Sequence, residues 1–434
     1  MIWQVIRAAL AVIVLALPAR AEVPIVSVTS PGGITAWLVE SHDIPFTALE
    51  IRFRGGASLD TPGKRGAINL MTALIEEGAG DMDAQGFAAA RDALAASYSF
   101  RTYDDVLAIS AKFLSENRDD AVDLLHLALT QTRFDTDAIE RVRGQVFANI
   151  RADAQDPQTI ATRTLDRLAF GDHPYATALD GTMDSVAALT RDDLIAARAR
   201  VMVRDRLVVS AVGDITPEDL GALLDRLLGD LPQTGAEEPG DAPFLLEGGV
   251  TVVPYDTPQS EIIFGQKGLK QDDPDFFAAY VLNEILGGGR FTSRLMTEVR
   301  EKRGLTYGIG TYLVALDHAE LVMGGAATQN ARAAETIAVI REQWGRIAAE
   351  GVSADELDAA KTYLTGSYPL RFDGNGPIAN ILVGMQLQGY PIDYAKTRNA
   401  RIEEVTGDDI ARVAKRLLAP DALHFVVVGQ PEGL

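Results

Sequence analysis

The sequence predicts an α+β protein of two tandem homologous domains, each a mixed or antiparallel sheet with helices packed on it. Three observations lead there. A set of motifs recurs once along the chain, strand-like and helix-like stretches are interleaved in both halves, and an acidic Gly/Pro-rich segment separates them.

In the first half, Phe170-Gly171-Asp172-His173-Pro174-Tyr175 is followed by Leu189-Thr190-Arg191-Asp192-Asp193-Leu194 and then by the apolar run 207–213. In the second, Gly389-Tyr390-Pro391 is followed by Val405-Thr406-Gly407-Asp408-Asp409-Ile410 and the apolar run 425–429. Thr190 and Gly213 are 23 residues apart, as are Thr406 and Gly429. Arg91 and Tyr98 are mirrored by Arg300 and Tyr307, seven apart in each case and offset by 209. A repeat of that length is a duplicated domain rather than a solenoid unit. Residues 231–249 hold Pro232, Gly235, Pro239, Gly240, Pro243, Gly248 and Gly249 among acids, which reads as a linker between domains at 22–230 and 250–434.

Alternation predicts strands over 34–41, 46–53 and 106–114, and a buried strand over 207–212. Helical spacing predicts helices over 66–77, 87–96, 138–152 and 190–201, the last with Thr190 as N-cap. In the second half, strands are expected over 250–254, 261–265 and 424–428, with a hairpin over 307–316 and 319–326. Helices are expected over 276–286, 291–302, 331–350, 354–367 and 406–418.

Lys and Arg number 40 against 61 Asp and Glu, a formal net charge of −21. That excludes sequence-independent nucleic-acid binding, which needs basic surface. The chain has no cysteine, so disulfides and thiolate metal sites are excluded too. Its five histidines (His42, His126, His173, His318, His424) include no i, i+4 pair.

The N-terminus reads as a secretory signal over residues 1–21. Arg7 supplies the charge, Ala8 to Leu17 is an apolar run of ten, and Ala19-Arg20-Ala21 is the cleavage sequence. A membrane anchor would need roughly 20 apolar residues. Cleavage removes Arg7 and Arg20, taking the charge from −21 to −23, and leaves no later span. The expected location is a bacterial periplasm.

Gly55-Gly56-Ala57-Ser58-Leu59-Asp60, the stretch 66–78 and His173-Pro174-Tyr175 resemble the N-terminal domain of the pitrilysin/insulinase zinc peptidases. Leu286-Gly287-Gly288-Gly289-Arg290-Phe291-Thr292-Ser293-Arg294-Leu295 and Val299-Arg300-Glu301-Lys302-Arg303-Gly304-Leu305-Thr306-Tyr307-Gly308 resemble the matching C-terminal domain. The resemblance covers nearly all of residues 30–430. It implies a two-domain half of a clam-shaped chamber that encloses an unfolded peptide.

Active members carry H-x-x-E-H, two zinc-binding histidines on one helix face with a glutamate base between them, and a third ligand from a later helix. The matching positions here are Asn69, Thr72 and Ala73, with the third ligand near Asn149. Alanine cannot ligate, threonine is no base at neutral pH, and carboxamides are poor zinc ligands. Glu76 and Glu77 do not substitute, because adjacent helical carboxylates point about 100° apart. This chain is therefore expected to hold no cofactor.

The family's arginine and tyrosine in R-E-x-x-G-L-x-Y, which hold substrate backbone and stabilise an oxyanion, match Arg300 and Tyr307. The alternative is a surface arginine paired with an acid and a strand aromatic. Gly287, Gly288 and Gly289 are either a mobile substrate-contacting loop, as in the non-catalytic subunit of the mitochondrial processing peptidase, or a helix-to-helix turn. His173 reads as a capping or packing residue rather than a catalytic one, and Asp60 and Arg65 as loop anchors.

The resemblance implies a zinc-less accessory subunit, inactive alone. It binds peptide and acts with a homologous subunit that holds the zinc, with Arg300 and Tyr307 contributed in trans. The other reading is a non-catalytic peptide-binding or assembly protein of the same fold.

Overall fold

A computed structural model describes residues 24–434. The expected signal sequence lies outside the described residues.

In the first half, β1 (Val26–Thr29), β2 (Thr35–Glu40), β3 (Phe46–Arg54), β6 (Ser97–Thr102), β7 (Val106–Leu114) and β8 (Leu207–Gly213) form one sheet in the order β1-β2-β8-β3-β7-β6. β4 (Gly78–Ala79) and β5 (Met82–Asp83) make a small separate hairpin. The helices are α1 (Ala67–Ala73), α2 (Ala84–Ala93), α3 (Arg118–Thr130), α4 (Thr136–Asp153), α5 (Pro157–Phe170), α6 (Met183–Ala187), α7 (Arg191–Val201) and α8 (Pro217–Leu228).

In the second half, β9 (Gly249–Pro254), β10 (Gln259–Lys267), β11 (Ile309–Ala315), β12 (Glu320–Gln329) and β13 (His424–Gly429) are ordered β11-β12-β10-β13-β9. Its helices are α9 (Phe276–Leu286), α10 (Ala333–Glu350), α11 (Ala354–Ser367), α12 (Asn375–Leu387), α13 (Tyr394–Glu404) and α14 (Gly407–Leu417).

Matching β9, β10, β11, β12 and β13 to β2, β3, β6, β7 and β8 gives the same strand order in both sheets. Each sheet also has one parallel pair, β2 with β8 and β13 with β9, the other pairs being antiparallel. The duplication read from the sequence is thus a duplication of topology. The expected N-cap holds: the Thr190 side chain accepts from Asp193 N in a capping box, as Thr406 does from Asp409 N. The helix expected over 291–302 is shorter and locally π-helical (Met296–Glu301), and the helix expected over 66–77 stops at Ala73.

Each sheet is apolar on both faces, and the two halves cover one another. Leu49, Ile51 and Phe53 of β3 face the first half's own helices. On the opposite face, Ala48 and Val212 pack under Ala379, Leu382 and Met385 of α12, which belongs to the second half. Reciprocally, Ala161, Leu165 and Ala169 of α5 cover Ile263, Met323, Val426 and Val428 of the second sheet.

Polar latches fix α12 in place. The Ser210 hydroxyl donates to Ala379 O at 2.6 Å, and Gln386 Nε2 donates to Val209 O at 2.9 Å. Beneath the helix, Arg52 pairs with Glu50 at 2.8 Å and donates to Asn380 Oδ1 at 2.9 Å. These donors and acceptors satisfy groups that would be costly to bury alone.

A second joint lies where the β11–β12 turn meets the first half. The Tyr175 hydroxyl donates to Asp105 Oδ1 at 2.5 Å and accepts from His318 N at 3.1 Å, while Asp317 N donates to Asp105 Oδ2 at 3.1 Å. Tyr175→Phe leaves a buried carboxylate and a backbone N–H short of partners. We predict a loss of about 1–3 kcal/mol in urea unfolding, and an unchanged midpoint would show that the joint does not hold the halves together.

Candidate functional site

Asp60 sets up the first half's site. Its carboxylate accepts from Gly66 N at 2.8 Å and Ile68 N at 2.9 Å, satisfying free donors where α1 begins. Gly66 has φ +94, and a Cβ there would lie 2.5 Å from Asp180 O, so the chain enters α1 through a position only glycine fits. Burial pushes the Asp60 carboxyl up to about 6, against the opposing pull of the two backbone N–H groups and Arg65. Arg65 ties the surrounding loop together, donating to Asp104 Oδ1 at 2.9 Å, Ala178 O at 3.1 Å and Thr177 O at 3.0 Å.

The positions that would carry zinc chemistry are committed elsewhere. Asn69 Nδ2 donates to Asp180 Oδ1 at 2.7 Å. The Thr72 hydroxyl donates to Ile68 O at 2.7 Å and accepts from the Thr102 hydroxyl at 2.7 Å. Ala73 offers a methyl group. Asn149 is exposed on α4 and makes no side-chain hydrogen bond among the described residues. Nor do those residues contain any cluster of three or more His, Cys, Asp or Glu suited to a metal. The donor set does not fit zinc. Glu76 and Glu77 are both claimed, by Arg91 at 2.8 Å and by Arg141. A pocket of about 340 Å³ opens where the metal would sit, bordered by Asn69, Ala73, Arg101 and Tyr103.

The second half presents the opposite situation. Arg290 pairs with Glu284 at 2.7 Å and Arg294 with Glu356 at 2.6 Å, while Lys302 and Arg303 share Glu298 at 2.7 Å each. Arg300, between them in sequence, has no ion pair or side-chain hydrogen bond among the described residues. Its guanidinium lies over the Phe291 ring at 4.9 Å, and that ring is 69% exposed. Tyr307 is 89% exposed, and its hydroxyl has no partner among the described residues.

The duplicated pair differs completely. Arg91 is bound to Glu76 and Asp92, and the buried Tyr98 hydroxyl donates to Ala121 O at 2.6 Å, with burial pushing its pKa upward. Phe291, the support under Arg300, was missed in the sequence, although an aromatic next to a glycine turn was the available signal.

Of the three glycines, Gly287 and Gly288 are buried in the turn that ends α9. Gly287 N donates to Asn283 O at 2.9 Å, and Thr311 N donates to Gly287 O at 2.7 Å. A Cβ on Gly287 would meet the Thr311 hydroxyl at 2.4 Å, whereas Gly289 faces open space. His173 caps a short turn, with Nδ1 accepting from Tyr175 N and Nε2 directed at Gly240 O at 3.1 Å.

Two family models match successive parts of the chain: insulinase (peptidase family M16) over residues 36–183 and the peptidase M16 inactive domain over 188–364. The chain belongs to peptidase family M16. It is similar to the non-peptidase homolog YmxG of Helicobacter pylori, 29% identical over 90% of both chains. It is also similar to an uncharacterized zinc protease of Streptomyces coelicolor, 26% identical over 90% of this chain and 86% of that protein. Among solved structures, a peptidase M16 inactive domain from Pseudomonas fluorescens superposes with a TM-score of 0.88 at 27% identity, covering 94% of this chain and 98% of that one. A chain of complex III from Candida albicans shares the fold, with a TM-score of 0.77 at 16% identity over 95% and 97%. The chain thus has the two-part M16 architecture, an insulinase-like first half followed by an M16 inactive domain.

Two predictions follow from the site. The purified chain retains no stoichiometric zinc after dialysis, measured by metal analysis; one tightly held zinc per chain would contradict the donor chemistry. For Asp60, the folded pKa near 6 lies above the unfolded value, so its contribution is complete below about pH 4 and is lost as pH rises through 6. Asp60→Asn removes that loss while keeping one acceptor. Its stability relative to the parent should improve by about 2–3 kcal/mol between pH 4 and pH 7.5, and a pH-independent difference in unfolding would refute the assignment.

Proposed function

We propose that this chain is the zinc-less subunit of a two-subunit periplasmic peptidase, which binds an unfolded peptide and lends Arg300 and Tyr307 to the zinc site of a homologous partner. The observation that carries the reading is the contrast within the duplication. Arg91 is ion-paired and Tyr98 is buried, whereas Arg300 and Tyr307 are free and exposed in a motif that otherwise binds every cation to a carboxylate. A guanidinium and a phenol are donors suited to negative charge developing on a peptide carbonyl. Stacking on Phe291 limits the rotamers of Arg300, so less entropy is lost when it engages a ligand. Asn69, Thr72 and Ala73 at the positions of the zinc motif, and a similar protein named a non-peptidase homolog, support a role beside a catalytic chain rather than as one. No helix among the described residues is long and apolar enough to cross a membrane.

Co-expression with a zinc-bearing homologue should give a heterodimer on size-exclusion chromatography, burying at least the roughly 1,600 Å² of a standard interface. Within it, Tyr307→Phe should lower kcat by about 10²- to 10³-fold, the usual effect of losing one oxyanion donor. Arg300→Ala should raise KM as well. Persistent monomers beside a folded partner would sink the heterodimer. A fully active Tyr307→Phe complex would reduce this chain to scaffold and chamber wall.

A further inference from the structure

We infer that the pocket at the first half's lost zinc position is a carboxylate site, in which Arg101 receives an anionic group of a peptide lying along β6. The inference rests on the peptide-binding reading above and names the chemistry that the site selects.

The strand supplies the geometry. β6 is the edge of its sheet, paired only with β7, so one row of its backbone donors and acceptors is open to an added strand. Tyr98 and Thr102 turn inward and are buried, while Ser97 and Arg101 turn outward and are exposed. Arg101 borders the 340 Å³ pocket at the end of α1 together with Asn69, Ala73 and Tyr103.

The charge supplies the chemistry. No acidic residue lines this pocket. Acids outnumber cations 61 to 40 in the chain, yet Arg101 has no ion pair or side-chain hydrogen bond among the described residues. The carboxylates nearest it in sequence and around α1 have other partners. Asp104 binds Arg65 at 2.9 Å, Asp105 accepts from the Tyr175 hydroxyl, Glu76 binds Arg91, Glu77 binds Arg141, and Asp180 accepts from Asn69 Nδ2 at 2.7 Å. Thr72 and Thr102 satisfy each other and the backbone, so they neither neutralise nor block the guanidinium.

A guanidinium fork recognises a carboxylate by two parallel hydrogen bonds. The carboxylate is either the peptide's C-terminus or an Asp/Glu side chain, and the experiment separates the two. Loss of zinc chemistry has thus left a positive site of a different kind: one that holds a charged group instead of polarising a carbonyl.

The test is fluorescence anisotropy with the mature chain and three labelled, otherwise identical unfolded peptides. One has a free C-terminus and an internal Glu, one is C-terminally amidated, and one has that Glu replaced by Gln. We expect the first to bind about 10- to 100-fold more tightly than whichever peptide lacks the recognised carboxylate. Arg101→Gln should abolish that preference, and Arg101→Lys should restore part of it. Circular dichroism would confirm that both variants fold. Equal binding of all three peptides, or a preference that survives Arg101→Gln, overturns the carboxylate site while leaving peptide binding intact. Failure of every peptide to bind overturns both.

Discussion

The exchange of α5 and α12 between the two sheets is the constraint on which the rest of the molecule depends. A sheet with two apolar faces must be covered twice, and each half supplies helices for only one face of its own sheet. The second face of each is covered by a helix from the other half. Residues 231–248 have no regular structure but pack along the joint, with Leu246 in the α5 core, Leu245 N donating to Ala169 O at 2.8 Å and Ala242 N donating to His318 O at 2.8 Å. The halves behave as one body because separating them would expose Val212, Leu382, Leu165 and Val426 to water and leave Glu50 and Arg52 beside an uncovered sheet. That rigidity fixes the first half's pocket and the second half's exposed arginine and tyrosine in a constant relation.

The duplication explains how one motif came to hold two different environments. The offset of 209 that relates Arg91 to Arg300 also relates the first residue of α1, Ala67, to the first residue of α9, Phe276. At the same offset, Glu76 corresponds to Ile285. The carboxylate that binds Arg91 is therefore an apolar core residue in the second half, and Arg300 is left without its counterpart partner. The tyrosines diverge for a related reason. Tyr98 sits inside β6 with its ring directed at the core, whereas β11 begins only at Ile309, so Tyr307 precedes the strand and is not drawn into the sheet.

The fold class and the repeat were legible because they are written in local patterns: alternation in strands, and capping residues such as Thr190 and Thr406 at matching places. The loss of zinc chemistry was equally legible, since it lies in side-chain identity at Asn69, Thr72 and Ala73. Helix α12 was not. It opens with Asn375-Gly376-Pro377, residues that read as a turn, and becomes helical because the apolar face of the first sheet rewards it. Helix α5 has an ordinary amphipathic pattern, and no local signal says which sheet it covers. The glycines were half legible: a helix-ending turn and an open position are both present, but burial of Gly287 and Gly288 follows from the close approach of Thr311, distant in sequence. Arg101 escaped notice because its significance lies in the absence of a partner, and that requires knowing where every neighbouring acid is engaged.

That last point bears on how Arg300 and Arg101 should be weighed. An exposed ion pair contributes little to stability, commonly 0–1 kcal/mol, so leaving one arginine unpaired costs the fold almost nothing and lack of a partner alone would be weak grounds for function. The surroundings supply the stronger argument. Phe291 is held 69% exposed beneath Arg300, where a polar residue would be better hydrated, and the four other cations of the segment 290–303 are all paired. Arg101 borders a pocket with no acid in its lining, in a chain where acids predominate. In both places the neighbouring charged groups are held by other partners and a guanidinium is left facing outward, which is the electrostatic arrangement required to receive a negative group from another molecule.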